Sequence, residues 1–350
     1  MVPMRVIVTG SSGQIGTNLA LRLVQDGHEV FGVDKRRSTW TNDFQYLLQD
    51  LSGNYPSYPT GIGGVDYPKA DVVVHLAAHA KVHQLVREPH RALENMVMTY
   101  NVLEYCRQTR TPIIFSSSRE VYGDIHRFDT EETSADFAFT ESTYSASKIA
   151  GEALIYSYSR CYGLPYLVFR FSNVYGRYDN DIGRMVRVIP LFVQRLSRDM
   201  PITIYGKDKV LDFTYVDDCV DGIVRGIEAL AAGRAMNETI NLAYGKGNTL
   251  VRMAELVGEA LGKKPEITLE PPLVGEVTHY IANISKATSL LGYVPRVSLE
   301  EGIPRAVKWQ MDWMSSPRAA DLPEMPDEKM SAIDQGGGSG IAFKEVYAKT

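Results

Sequence analysis

Runs of β-branched and other apolar residues recur through the first half of the chain, at 5–9, 29–33, 72–76, 113–116 and 166–169. They are nearly continuous rather than alternating, which is the pattern of parallel strands covered on both faces. Between them, stretches at 14–26, 89–108 and 143–162 repeat their apolar positions with a helical period. Strand followed by helix, repeated, predicts an α/β fold: a Rossmann-like, doubly wound parallel sheet with right-handed crossovers. Past residue 175 the pattern loosens. Helices are expected at 187–198, 216–230, 250–261, 284–291 and 299–314, with strands at 202–205 and 238–242. These predict a smaller α/β lobe. The expected division is 1–175 plus 211–243 for the sheet domain, 176–210 plus 244–314 for the lobe, and 315–350 for a flexible C-terminal tail. In that tail, prolines crowd 315–327, and Gly336-Gly337-Gly338-Ser339-Gly340 has the composition of a linker, ahead of a short docking segment at 341–348.

Composition narrows the class without naming it. The chain has 350 residues, 44% hydrophobic and 23% charged, ordinary for folded domains and long enough for about two. A net charge of −5 lacks the basic excess of a nucleic-acid-binding surface, so an anionic ligand would need local positive potential. No apolar run is long enough to span a membrane, and the first residues enter a strand directly without a leader's layout. Cys106, Cys161 and Cys219 are scattered, which argues against a disulfide framework or a cysteine zinc site. The expectation is a cytoplasmic protein with no metal, no membrane partner and no nucleic-acid partner.

The first strand runs into Thr9-Gly10-Ser11-Ser12-Gly13-Gln14-Ile15-Gly16, which opens the first helix. Glycines at this spacing allow a tight turn, close backbone approach and close helix–strand packing. The helix N-terminus then presents free N–H groups to a pyrophosphate. Asp34 ends the second strand, 18 residues after Gly16. A carboxylate there accepts both ribose hydroxyls of an adenosine and repels a 2′-phosphate, favouring NAD over NADP. Lys35, Arg36 and Arg37 pull the other way. Asp50 is placed to touch the adenine amine.

Tyr144-Ser145-Ala146-Ser147-Lys148 sets Tyr144 and Lys148 one helical turn apart on one face. A nearby ammonium stabilises a tyrosinate and is expected to lower the tyrosine pKa from about 10. Such a tyrosine takes a proton from an alcohol while hydride leaves for a nicotinamide. Ser118 stands at the carboxyl edge of a strand, where ligands bind in this kind of fold.

With these motifs go His75–Ala78, Ser116-Ser117-Ser118-Arg119-Glu120-Val121-Tyr122-Gly123, the R-F-S-N-V-Y-G run at 170–176, the D-F-T-Y-V-D-D run at 212–218 and I-S-K-A followed by L-L-G-Y in 284–293. Over residues 4 to about 310 the chain resembles the extended short-chain dehydrogenase/reductases, specifically their NAD-dependent nucleotide-sugar epimerase/dehydratase branch. The resemblance implies tightly held NAD and a smaller lobe that binds substrate. It implies Tyr144 as base, Lys148 on the nicotinamide ribose and Ser118 on the reacting oxygen. Cofactor contacts would come from Gly10, Gly13, Gln14, Ile15, Gly16, Asp34, Asp50, Leu51, Leu76, Ala77, Ala78 and Ser116. Substrate contacts would come from Lys81, Ser118, Arg119, Asn173 and Arg187. It also implies a homodimer through the helices at 89–108 and 143–162, where Met96, Val97, Leu103, Leu154 and Ile155 suit an interface. His75 reads as core.

The chain departs from the branch at four positions. Glu120 matches its dehydratases and decarboxylases, where it moves a proton beside a transient ketone. Arg119 stands where the similar 4,6-dehydratases have a carboxylic acid, and arginine is a poor general acid. It suits instead an anion at sugar carbon 6, such as a uronate. Leu211 and Leu273 stand where arginines usually clamp the diphosphate, with Arg177, Arg184, Arg187, Lys207, Lys209 and His279 nearby in sequence as substitutes. The expected function is an NAD-dependent nucleotide-sugar 4-epimerase, with a UDP-hexose or UDP-uronate as substrate. A nucleotide-sugar dehydratase or decarboxylase using Glu120, and a non-catalytic NAD-binding regulator, are the alternatives.

Overall fold

The computed structural model describes residues 2–53, 61–62, 65–123, 129–179, 187–272 and 277–316. The tail beyond 316, its segment at 341–348, Arg184 and Leu273 lie outside the described residues.

A seven-stranded sheet forms the centre. Its strands are β1 (Arg5–Thr9), β2 (Glu29–Asp34), β3 (Gln45–Leu48), β4 (Val72–His75), β5 (Ile113–Ser118), β6 (Tyr166–Phe171) and β7 (Glu238–Leu242). The spatial order is β3-β2-β1-β4-β5-β6-β7, and every pairing is parallel. The order reverses between β1 and β4, which opens a crevice at their carboxyl ends. Successive β1 side chains serve opposite faces. Val6 and Val8 join a core cluster with Leu19, Leu23, Ile223 and Ile227, whereas Ile7 joins another with Val102, Leu103 and Ile155. Both faces are buried, so the strands are apolar throughout.

The helices are α1 (Gln14–Gln25), α2 (Val82–Arg87), α3 (His90–Thr109), α4 (Thr143–Tyr162), α5 (Val188–Ser197), α6 (Val216–Ala231), α7 (Leu250–Leu261), α8 (Ser285–Leu291) and α9 (Leu299–Met314). Helix α4 begins where the Ser142 hydroxyl accepts the Ser145 N–H at 3.1 Å, and ends at Gly163 with φ +69°. Helix α9 opens with a capping box between Ser298 and Glu301.

The second half adds smaller sheets. Val210–Tyr215 pairs with Asn173–Tyr175, Gly247–Thr249 and His279–Tyr280, and Ile202–Tyr205 pairs with Ile267–Glu270. Residues 210–215 therefore sit outside the central sheet, while α6 returns against α1 and leads to β7. Asp212 locks this junction. It is fully buried and accepts backbone N–H groups from Tyr244 at 3.0 Å, Gly245 at 2.8 Å and Ala282 at 3.3 Å. Asp218 does the same for Arg296 and Val297. The chain's tryptophans gather with Tyr178. Trp40, after β2, lies 4.6 Å from Trp313, and Tyr178 lies 5.5 Å from Trp309 (ring centroids), fastening α9 to the sheet domain.

The strand at 45–48, the short strands of the second half other than 202–205 and 238–242, and α2 were not anticipated. Each is brief, and 45–48 is a half-exposed edge, so periodicity has little to act on. Of the residues thought to suit a dimer face, Leu103 and Ile155 are fully buried core, whereas Met96, Val97 and Leu154 are half-buried.

Candidate active site

One cavity of about 480 Å³ lies along the carboxyl ends of the strands, and every site residue expected from the sequence lines it. At one end is the glycine turn. Gly10 has φ +73°, and a Cβ there would stand 2.8 Å from the Ala77 backbone nitrogen. A Cβ on Gly16 would collide with the Gly10 carbonyl, so helix and turn touch only because both are glycine. Helix α1 starts at Gln14 with Gly13 as cap and no side chain capping it. Asp34, at the end of β2, accepts the Ser12 N–H at 3.0 Å and the Arg36 N–H at 2.9 Å. Burial pushes its carboxyl above the usual range, against those bonds and the Arg36 and Lys35 charges. Asp50 is exposed; burial raises its pKa, but bonds from Ser52 outweigh this and hold it low.

At the other end, β5 delivers Ser116, Ser117 and Ser118, and α4 delivers Tyr144 and Lys148. The helix is pressed against the strand at Gly151, where a Cβ would lie 2.5 Å from the Phe115 ring. Ser118 is hydrogen-bonded to the Tyr144 hydroxyl and accepts the Glu120 N–H at 3.2 Å. Lys148 is buried and donates to the Ser116 carbonyl at 2.7 Å, its ammonium 5.8 Å from the Tyr144 ring centroid. Burial lowers its pKa to about 8, against the pull of Glu152. The expected fall in the Tyr144 pKa is not what this arrangement gives. Desolvation pushes it up to about 12, and the Ser118 bond only partly offsets that. The Lys148 ammonium is turned to a carbonyl instead of the phenol oxygen.

Between these ends the cations are tethered. Arg119 pairs with Glu120 at 2.8 Å and donates to Asn173 Oδ1 at 3.3 Å. Asn173 donates in turn to the Asp212 carbonyl at 2.9 Å. Arg187 donates to Gln14 at 2.6 Å and pairs with Asp179 at 3.1 Å, joining α1 to the second half. Lys81 lines the rim before α2. His75 is core, bonded to Thr9 at 2.7 Å and driven by burial to a pKa of about 3. Sequence reasoning missed Ser172, Val174, Ile189 and Phe213 among the lining residues. Ser172 and Val174 lie within the 170–176 motif and Phe213 within the 212–218 motif, whereas Ile189 comes from a helix whose facing is set by tertiary packing.

Residues 6–243 match the NAD dependent epimerase/dehydratase family. The chain belongs to that family. It is 30% identical to the UDP-glucuronate 4-epimerase of Thermodesulfobacterium geofontis, across 87% of this chain and 96% of the relative. Among solved structures it is similar to the UDP-glucose 4-epimerase of Thermotoga maritima with UDP-glucose, at 30% identity and a TM-score of 0.81, covering 89% of this chain and all of that one. It is also similar to the UDP-glucuronic acid 4-epimerase of Bacillus cereus with UDP-glucuronic acid and NAD, at 25% identity and a TM-score of 0.79, over 89% of this chain and 100% of the other.

As a member of the NAD dependent epimerase/dehydratase family, this enzyme uses NAD, and the residues present fit it. The turn has room for a pyrophosphate where a Cβ would fill it, the α1 N-terminus is uncapped by side chains, and Asp34 stands at the adenosine end. Leu211 is buried in the core, and of the described cations named as substitutes only Arg187 lines the cavity. Arg177 pairs with Asp217, and Lys209 is buried beneath Gly206. Among the described residues, no helix is long and apolar enough to cross a membrane.

Proposed function

We propose that the enzyme is a nucleotide-sugar 4-epimerase acting on a UDP-hexose or UDP-uronate by transient oxidation at sugar carbon 4. The observation that carries this reading is the contact of Tyr144 and Ser118 at the mouth of the cofactor turn, with Lys148 one helical turn below. NAD supplies a reversible hydride acceptor. Tyr144 Oη removes the proton of the carbon 4 hydroxyl and returns it once the sugar presents its other face. Ser118 Oγ holds the reacting oxygen and keeps Tyr144 aimed at it. Lys148 binds the nicotinamide ribose, its ammonium held in place by the Ser116 carbonyl. Gly10, Gly13, Gln14, Ile15 and Gly16 hold the pyrophosphate. Asp34, Asp50 and Leu51 hold the adenosine, and Leu76, Ala77, Ala78 and Ser116 line the cleft. Lys81, Arg119, Asn173 and Arg187 hold the substrate.

The Arg119–Glu120 ion pair supports epimerisation over elimination. Arg119 holds a Glu120 oxygen at 2.8 Å, engaging the carboxylate that an elimination would use to move a proton beside the ketone. The domain division at 175/176, 210/211 and 243/244 assigns the cofactor to the sheet and the sugar to the lobe. A homodimer through α3 and α4 is supported by Leu93 and Tyr100, exposed on α3, beside half-buried Met96, Val97 and Leu154. Incubation with UDP-glucose, UDP-galactose, UDP-glucuronate and UDP-galacturonate tests the reaction. The expected product is an epimer of unchanged mass. Loss of water or carbon dioxide would assign the reaction to Glu120 and overturn this reading.

A further inference from the structure

Glu152 is 5% exposed and lies outside the cavity lining, yet its two oxygens accept four hydrogen bonds from elements that carry the active site and from its own helix. It sits one turn beyond Lys148 and two beyond Tyr144, on the same face of α4. One oxygen accepts from the Ser117 hydroxyl at 2.6 Å and from Arg170 Nε at 2.8 Å. The other accepts from Arg170 Nη2 at 2.7 Å and the Tyr156 hydroxyl at 2.9 Å. Ser117 is flanked by Ser116, whose carbonyl takes the Lys148 ammonium, and by Ser118, which is bonded to Tyr144. Arg170 continues to the Tyr122 hydroxyl at 3.1 Å, two residues from Glu120, and Tyr122 donates to Asn241 at 2.5 Å. Tyr156 is bonded to Thr239 of β7 at 2.7 Å. One carboxylate thus joins β5, β6, β7 and α4 directly behind the reacting groups.

We infer that Glu152 is a positioning residue for the reaction: it locks the Ser116–Ser118 strand end to the helix bearing Tyr144 and Lys148, and it supplies the negative charge that keeps the Lys148 ammonium in place. This rests on the roles proposed above for Tyr144 and Lys148. A carboxylate needed only for packing would be bonded just as well but would leave the lysine's titration untouched. The charged and titratable groups facing this pair are Arg170 on β6, Tyr144 and Tyr156 on α4, Tyr122 in the turn after β5, Glu132, Tyr166 and His75 on β4. His75 is neutral, held so by burial and the Lys148 charge. Arg170 remains a cation throughout. Among these groups Glu152 is the one that raises the Lys148 pKa against burial.

The experiment compares wild type with Glu152→Gln, Glu152→Asp and the double variant Glu152→Gln/Arg170→Met. The double variant leaves no unpaired buried cation behind. Two pH profiles are measured, kcat/KM and NAD affinity, with Tm as a check of folding. The alkaline limb of both profiles is expected to move down by about one pH unit or more in Glu152→Gln and in the double variant, and to return toward wild type in Glu152→Asp. An alkaline limb unmoved in either folded neutral variant overturns the inference, as does failure of both neutral variants to fold, which would make Glu152 a folding residue. If wild type converts no nucleotide sugar while the NAD profile still shifts, the function reading fails and the role of Glu152 stands.

Discussion

The cofactor end and the substrate end of this cavity are built from different materials. At the cofactor end, backbone and glycine do the recognising: the turn at Gly10–Gly16, the start of α1, and one carboxylate, Asp34, fixed by two backbone N–H groups. At the substrate end, side chains from distant segments converge, among them Arg119, Asn173, Arg187, Ile189 and Phe213. They are held by one another, by the short pairing of Asn173–Tyr175 with residues 213–215, and by buried carboxylates such as Asp212. A backbone site tolerates little change in sequence and binds one chemistry. A side-chain site is altered one residue at a time, as Leu211 and Arg119 illustrate.

The hardest test of that division falls where the two ends meet. Tyr144→Phe removes one oxygen from the shared boundary. Turnover should drop by about 10²–10⁴-fold, while NAD content and Tm stay near wild type. Cofactor loss in this variant would mean that the phenol belongs to the cofactor end.

Gly10→Ala strikes the backbone end alone. Its φ of +73° and the 2.8 Å approach to Ala77 leave no room for a methyl group. The strain should cost about 1–3 kcal/mol, and NAD affinity should fall by about tenfold or more. Equilibrium titration of the apoprotein with NAD measures it. Unchanged affinity would show that the turn has slack.

Arg119→Ala probes the side-chain end. If Arg119 meets a carboxylate at sugar carbon 6, kcat/KM for a uronate should fall about tenfold more than for the neutral hexose, the worth of one charge-assisted bond. Equal losses for both substrates would leave Arg119 as a partner of Glu120 and Asn173 only.

The same division explains what was legible. The central strands were readable because burial on both faces makes them uniformly apolar, and the cradle was readable because φ +73° and two near-collisions demand glycine at fixed spacing. Tyr144 and Lys148 were readable because one helix carries both. The partners of Arg119 and Arg187 were not, since Asn173, Gln14 and Asp179 reach them only through tertiary packing. Nor was the high Tyr144 pKa, because spacing gives the nearness of Lys148 but neither its bond to the Ser116 carbonyl nor the depth of burial. Short strands such as His279–Tyr280 take their conformation from pairing with 210–211, a contact no local pattern announces.

The smallest expected effect concerns how the two ends are held. The cofactor end rests on the parallel backbone ladder of the central sheet, whereas the substrate end hangs on Asp212. Burial raises the Asp212 pKa from 3.8 to about 6, against the bonds from Gly245, Ala282 and Tyr244. The folded protein therefore holds this proton more tightly than the unfolded chain does. The resulting stabilisation is complete below about pH 4 and is lost as pH rises through 6, so Asp212 tilts stability downward across that window by at most about 1.4 kcal/mol per pH unit. Other carboxylates that are held ionised tilt it upward, so the measurable quantity is a difference of slopes. In Asp212→Asn the stability measured between pH 4 and 6 should rise more steeply than in wild type by up to one proton's worth, whatever the absolute loss. Slopes that match would mean that the three backbone N–H groups outweigh burial and that Asp212 stays ionised throughout.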